Sequence, residues 1–266
     1  MKILNVIASL DPVHGGGTAE RSFQMSRFLA RSGEDCTLLT LDLGLTQERI
    51  HAMAGVKIVA LPCWCKRFGL PVFSLTDMNR IVAESDIIHL MSHWTFLNVL
   101  VYCCARRQKK PYVICPAGSL PIYGRSKFIK MLYNLIVGRK IIRNADRCIA
   151  ITPNEFSCFE RYGVQKDSIS LIPNGICLED YLVKDDIAFR RAYGLPDVPF
   201  ILFVGRLNPI KGPDMLLRAF CAHKDRIPHH LVFAGRDAGM LNDLEKMSER
   251  KMLKVACILS GISAEP

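Results

Sequence analysis

The sequence predicts an α/β protein made of two doubly wound units, each a parallel sheet with helices on both faces. Three observations predict it. Short apolar runs, rich in β-branched and aromatic residues, alternate with amphipathic helical stretches along the whole chain, the pattern of strands buried on both faces and joined by crossover helices. At 266 residues the chain is long for one sheet and suits two units, since domains typically run to roughly 100–200 residues. Half of its residues are hydrophobic, enough for two cores.

In chain order, residues 2–8 form the first strand, and residues 18–32 an amphipathic helix. Gly33 closes that helix, because glycine takes the left-handed conformation that ends helices without strain. Strands follow at 36–41 and 57–61. A helix near 76–84 leads to a strand at 87–90, and a helix from about 95 to 107 leads to a strand at 112–115. A long helix near 127–144 precedes a strand at 148–151. Thr152 and Glu155 are spaced as a capping box for the next helix, which Gly163 ends. A strand at 168–172 completes the first unit, and Pro173, Asn174 and Gly175 signal a turn. The expected division is 1–185 and 186–266, with a hinge between Asn174 and Pro199. The second unit has strands at 200–204, 231–234 and 255–259. Three strands with two helices are expected to leave a sheet edge uncovered and the unit marginally stable by itself.

Composition excludes several classes. The eleven cysteines include Cys63 with Cys65 and the adjacent Cys103 and Cys104, but no CxxC with zinc-like partners. Most of the others lie in apolar runs, where a free thiol acts as a small hydrophobe in a reducing compartment. A cytoplasmic protein without a metal site is expected. The apolar start is followed by Asp11 and Pro12 and has no small-residue cleavage site, so it reads as a buried strand, not a signal peptide. The longest apolar run, 94–105, is far short of the roughly 20 residues that span a bilayer.

The net charge of +10 is concentrated. Residues 87–145 contain no Asp or Glu, whereas Arg106, Arg107, Lys109, Lys110 and six further cations from Arg125 to Arg143 fall there. One positive region on an otherwise balanced chain does not imply general affinity for polyanions, so no nucleic-acid partner is expected. Within it, Phe128, Met131, Leu132, Leu135 and Ile142 fall on one face of the 127–144 helix beside Lys127, Lys130, Arg139, Lys140 and Arg143. Two readings stay open: the face covers the sheet, or it docks on an anionic membrane surface.

The stretch FILFVGRLNPIKGP at 200–213 is the most informative. Its apolar half is a buried strand, its polar half a loop, and Pro213 opens a helix. Arg206 and Lys211 therefore flank a strand-to-helix turn at the carboxyl edge of a sheet, where ligands bind and helix amides favour anions. Residue chemistry leaves a phosphate or diphosphate site and an ordinary exposed basic loop both open. Gly15, Gly16 and Gly17 open the first helix as either a flexible turn or a ligand contact. They are not a dinucleotide fingerprint, which would need Gly at Glu20 and would begin directly after the strand. Glu20 reads as a first-turn anion complementing the helix dipole. His89 and His93, near a strand end, are either structural groups or ligand contacts.

The GRLNPIKG string resembles the G-R-x-x-x-x-K-G loop of the retaining GT-B glycosyltransferases of family 4. GGGTAE at residues 15–20, DIIH at 86–89, IPNG at 172–175 and FAGRD at 233–237 match in order. The resemblance implies a complete N-terminal Rossmann-like domain on the acceptor side and a partial C-terminal one that binds a nucleotide sugar. It implies transfer of a hexosyl group from a UDP- or GDP-linked sugar to a glycan or lipid-linked saccharide, in cell-surface polysaccharide synthesis, at the inner face of the membrane. Arg206 and Lys211 would hold the donor diphosphate and neutralise charge on the leaving group, with no cofactor and no metal. Gly205, Gly212, Asn174 and Gly175 would line the donor site, and Gly15, Gly16, Gly17, His89 and His93 the acceptor side. The chain departs from the family in three places. Met91 and Ala117 stand where side chains of the active site are usual, and the acidic E-x7-E motif does not occur. The chain is therefore expected to be a C-terminally truncated member, active only as a binding module or with a missing segment supplied.

Overall fold

The computed structural model describes residues 1–122, 126–182, 185–195, 197–250 and 255–258. The chain divides into two compact units, Met1–Cys177 and Leu178–Pro266. Unit 1 is built on β1 (Lys2–Val6), β2 (Asp35–Leu41), β3 (Val56–Leu61), β6 (Ile87–Met91), β7 (Tyr112–Cys115), β8 (Arg147–Ala150) and β9 (Ile169–Leu171). They form one seven-stranded sheet in the order β3-β2-β1-β6-β7-β8-β9, with every pair parallel. The chain winds outward from β1 to β3 and then returns to lay β6 on the other side of β1. Between β1 and β6 the winding direction switches, and a crevice opens at the carboxyl ends of such strands.

Helices cover both faces, so the strands are apolar on both sides, with Leu4, Leu39, Leu90 and Ile114 fully buried. Helix α1 (Gly16–Arg31) buries Ala19, Ser22, Phe23 and Ser26, the spacing of one helical face. The Ser26 hydroxyl accepts from Asn5 Nδ2 at 2.9 Å, which gives a buried strand amide a partner. Glu20 stands beyond the first turn of α1, contrary to the sequence reading. It pairs with Arg49 at 2.7 Å and ties α1 to α2 (Gln47–Ala52), a short helix capped by Thr46. That helix and the hairpin β4 (Cys63–Cys65) with β5 (Leu70–Pro71) have no counterpart in the sequence reading. Helices α3 (Leu75–Ala83) and α4 (Phe96–Gln108) start on side-chain caps from Ser74 and Thr95, which satisfy amides that a helix start leaves unpaired.

The helix expected at 127–144 is not one regular helix covering the sheet. It is α5 (Lys127–Tyr133), a π turn (Asn134–Gly138) and α6 (Arg139–Arg143). A π turn carries an extra residue and rotates the face that follows it. Ile141 and Ile142 consequently enter the core, whereas Phe128, Met131, Leu132 and Leu135 lie exposed. Gly138 permits the turn, because a Cβ there would lie 2.4 Å from Asn134 Oδ1 and 2.7 Å from the Tyr133 ring. Arg125 falls outside the described residues.

The expected capping box is also absent. Thr152 makes no side-chain cap bond, and Glu155 reaches back to accept from the Ile151 amide at 3.2 Å. A 3-10 turn, Pro153–Glu155, then leads into α7 (Phe156–Arg161).

Unit 2 opens on a 3-10 turn (Leu178–Tyr181) followed by α8 (Asp186–Ala192), capped by Asp185, in the segment where the sequence suggested a hinge. Its sheet is β10 (Phe200–Val204), β11 (His230–Ala234) and β12 (Val255–Ile258), parallel and in that order. Helices α9 (Pro213–His223) and α10 (Leu241–Arg250) pack Leu217, Phe220 and Leu244 against Leu231 and Phe233. On the edge strand β10, Leu202 and Val204 are 45% and 73% exposed, an uncovered apolar margin. Leu259 lies outside the described residues. Among the described residues no helix is long and apolar enough to cross a membrane.

Two substitutions separate core from cap. Phe159, fully buried on α7, should cost about 3–5 kcal/mol on replacement by Ala, read by urea unfolding. Thr152→Ala should shift stability by less than about 0.5 kcal/mol, against the roughly 1 kcal/mol of a working cap.

Candidate functional site

In unit 2 the strand-to-helix turn is held at both ends. After β10, Leu207 is fully buried and its amide donates to Arg236 O at 2.9 Å, pinning the turn to the exit of β11. The Asn208 side chain and carbonyl both accept from the Lys211 amide, at 3.0 and 3.1 Å. Gly212 then takes φ +65° as the N-cap and Pro213 occupies the first turn of α9. An L side chain is disfavoured in that left-handed conformation, which explains glycine directly after Lys211. The fixed backbone presents Arg206 and Lys211 outward. Both are exposed, and neither side chain enters an ion pair or hydrogen bond within the described residues. Two unneutralised cations beside a helix N-terminus form a site for an anion. The neighbouring turn is built alike: Asp237 Oδ1 accepts from the amides of Gly239, Met240 and Leu241 at 2.8–3.1 Å. Those bonds, Gly239 first, hold its carboxyl below the usual range.

In unit 1 the Gly15, Gly16, Gly17 loop leaves β1 at the switch point. Gly15 donates to Asp11 O at 2.9 Å, and a Cβ on it would meet Ala19 Cβ at 2.4 Å. Gly16 has φ +63°, while a Cβ on Gly17 would meet nothing within 4 Å. Gly15 and Gly16 thus shape the turn, and Gly17 is the one with open space above it.

The sequence reading did not single out Arg21. Its side chain is 4% exposed and lies at the carboxyl edge, where Nη1 donates to Pro173 O at 3.1 Å and to Asn174 Oδ1 at 2.9 Å. This bond pair fixes the turn of Asn174 and Gly175 against α1. Nε and Nη2 have no partner among the described residues. The charge of the guanidinium also acts on Cys115, Glu155 and His89. Burial lifts the Glu155 carboxyl above its ordinary range, against the opposing pull of Arg21. A basic residue among small ones on a buried helix face was the available signal, but periodicity assigns charges to the surface.

His89 is buried on β6 with Nε2 unpartnered, and desolvation, with Arg21 adding to it, takes its pKa down to about 3. His93 is fully buried. Its Nε2 donates to Asn134 Oδ1 at 3.1 Å, and desolvation takes its pKa to about 4. Asn134 Nδ2 donates onward to the Tyr162 hydroxyl at 2.7 Å, which itself donates to Leu120 O, and the Tyr133 hydroxyl donates to His93 O at 2.7 Å. Both histidines are therefore neutral and buried, and His93 alone is a hydrogen-bonded strut beneath the exit of β6. Ala117, at the exit of β7, has φ +48° and Gly118 follows at +77°. Among the described residues no cluster of His, Cys, Asp or Glu could hold a metal ion.

Comparison with known proteins places this geometry. The family model described as Glycosyltransferase Family 4 matches residues 15–180, and that described as Glycosyl transferases group 1 matches residues 185–264. A D-inositol 3-phosphate glycosyltransferase from Frankia alni is 28% identical over 227 residues, covering 77% of this chain and 54% of the relative. One from Nocardia farcinica is 42% identical over 83 residues, 30% of this chain and 18% of the relative. The chain thus spans at most about half the length of these curated relatives. The crystal structure of Anabaena Alr3699/HepE in complex with UDP-glucose superposes with a TM-score of 0.71 at 18% identity, covering 97% of this chain and 68% of that one.

The buried histidines make acid stability a test. Their folded pKa values, about 3 and 4, lie below the unfolded value of about 6.5, so the unfolded chain binds more protons in acid. Their contribution is complete above about pH 6.5 and is lost as pH falls towards the folded values. Calorimetry should show Tm falling between about pH 6.5 and 4, with a shallower fall in His93→Gln.

Proposed function

The chain belongs to glycosyltransferase family 4, and from that membership we propose that it moves a glycosyl group from a nucleotide sugar to a hydroxyl of a glycan or lipid-linked saccharide. The observation that carries this reading is the pair Arg206 and Lys211, exposed, unneutralised and rigidly presented beside the N-terminus of α9. A diphosphate fits that chemistry, and UDP-glucose is the molecule in the HepE complex. Gly205 and Gly212 keep the loop low around the anion. Within unit 1, Asn174 and Gly175, fixed by Arg21, are assigned to donor contacts by family membership, and Gly15, Gly16 and Gly17 to acceptor contacts.

In the reaction the bond from the anomeric carbon to the diphosphate oxygen breaks and the acceptor hydroxyl oxygen forms the new glycosidic bond. Negative charge develops on the departing diphosphate, where Arg206 and Lys211 stabilise it more than in the ground state. The acceptor proton passes to the leaving phosphate oxygen on the same face, which corresponds to retention of configuration. The enclosure of His89 and His93 supports this route, because neither neutral ring is placed to take that proton. His93 acts by holding the loop at the exit of β6 through Asn134 and Tyr133. No metal or other cofactor is part of the reading, since the two cations perform the neutralisation that a divalent ion performs elsewhere.

Charge-assisted hydrogen bonds to a diphosphate are worth about 1.5–3 kcal/mol each. Arg206→Ala and Lys211→Ala should therefore each weaken UDP or UDP-sugar binding at least about tenfold in calorimetry, with the fold intact by circular dichroism. Unchanged affinity in either folded variant would overturn the assignment. Because the readout is binding, the result does not depend on whether these residues alone suffice for turnover.

A further inference from the structure

Burial along α5 runs opposite to what a helix covering a sheet requires. Phe128 and Leu135 are 76% and 79% exposed, and Ile129, Met131, Leu132 and Ile136 are exposed with them. At helical spacing Phe128, Ile129, Met131 and Leu132 fall on one side of α5, and Leu135 and Ile136 are exposed on the adjoining π turn. Contiguous apolar surface of this kind marks an interaction site on a folded protein.

The helix is not loosely attached. On its inner side Tyr133 and Asn134 are hydrogen-bonded to His93, and Ile141 and Ile142 anchor α6 in the core. The exposed face is therefore presented by a fixed element.

Charge selects the occupant. No acidic residue occurs from 87 to 145, and exposed Lys127, Arg139 and Lys140 accompany the apolar side chains. A symmetric second copy would bring the same cations against themselves, a like-charge contact that opposes pairing. A surface that is apolar within and negative at its boundary satisfies both features together. We propose that the outer face of α5 and the adjoining π turn docks on an anionic lipid bilayer. Phe128, Leu132 and Leu135 enter the acyl boundary, and the Lys and Arg side chains extend to the lipid phosphates.

Docking in this orientation would bring the loops bearing His93 and Ser119 to the membrane, where a lipid-linked acceptor would present its sugar. That link rests on the proposed function; the docking itself does not.

The experiment is co-sedimentation of the full chain with vesicles of phosphatidylcholine alone or mixed with phosphatidylglycerol. Binding is expected only to the mixed vesicles, and added salt should weaken it by screening. A basic residue near an anionic leaflet is worth about 1 kcal/mol, a factor of about five. Lys127→Glu with Lys140→Glu should therefore lower partitioning at least about tenfold. Phe128→Glu with Leu135→Glu should abolish it, with an unchanged thermal midpoint because these side chains are already exposed. Equal binding to neutral and mixed vesicles, or no loss in both variants, overturns the proposal. So does a dimer in sedimentation velocity that the Phe128→Glu, Leu135→Glu variant dissolves without vesicles, which would assign the face to a second copy. UDP affinity is measured in parallel; its persistence when docking fails separates this inference from the donor site.

Discussion

Parallel strands can be joined only by crossovers that cover the sheet, and this constraint places everything else in the molecule. Both faces of the seven-stranded sheet are occupied by packing, so chemistry is confined to the loops at the carboxyl edge. Those loops must be stiff without being buried, and the chain stiffens them from below. Arg21 joins α1 to Pro173 and Asn174. His93 and Asn134 join the exit of β6 to the π turn, and Asn98 Nδ2 donates to Met91 O and Ser92 O at 3.0 and 3.2 Å. Each strut is a polar side chain held under a loop, where a lost partner costs most.

The two units solve opposite electrostatic problems. In unit 1 ionisable groups at the strand exits are enclosed, and desolvation keeps His89 and His93 neutral. In unit 2 the turn after β10 is organised by backbone bonds through Asn208 and Leu207, which leaves Arg206 and Lys211 exposed. A buried cation would have to be paired, and pairing would neutralise the charge. Exposure keeps both charges available at the cost of salt sensitivity. The strand exits of unit 1, by contrast, depend on shape and should respond to packing changes more than to ionic strength.

Legibility in the sequence follows the range of the interactions. Strands β7 and β10 match the sequence reading residue for residue, because a short β-branched run between turn signals has one reading. The Gly212 and Pro213 helix start was legible for the same reason, as its chemistry is local. The π turn was not. It is set by Asn134 reaching across 41 residues to His93 and 28 to Tyr162, so the 3.6-residue period assigned Phe128 and Ile142 to one face. The capping box failed because Glu155 found the Ile151 amide instead. Arg21 was missed because the carbonyl it holds lies 152 residues away. The turn after β10 was thus readable from adjacent residues, and the unit 1 supports only from tertiary structure.

Distance along the chain also explains why net charge alone misjudges the positive region. Arg106 and Arg107 sit in the last turn of α4, where they complement the helix dipole. Lys109 ends the same helix in the left-handed conformation at φ +54°, and Lys110 donates to Ala83 O and Ser85 O at 2.7 Å. Lys130 lies over the Trp94 ring at 5.6 Å. These cations serve the fold where they stand. What remains for an outside partner is the smaller group on α5 and α6, and that group surrounds exposed apolar side chains. The absence of acids from 87 to 145 then has two physical causes. Around α4 it protects a helix end, and along α5 it leaves exposed apolar side chains bordered by cations alone.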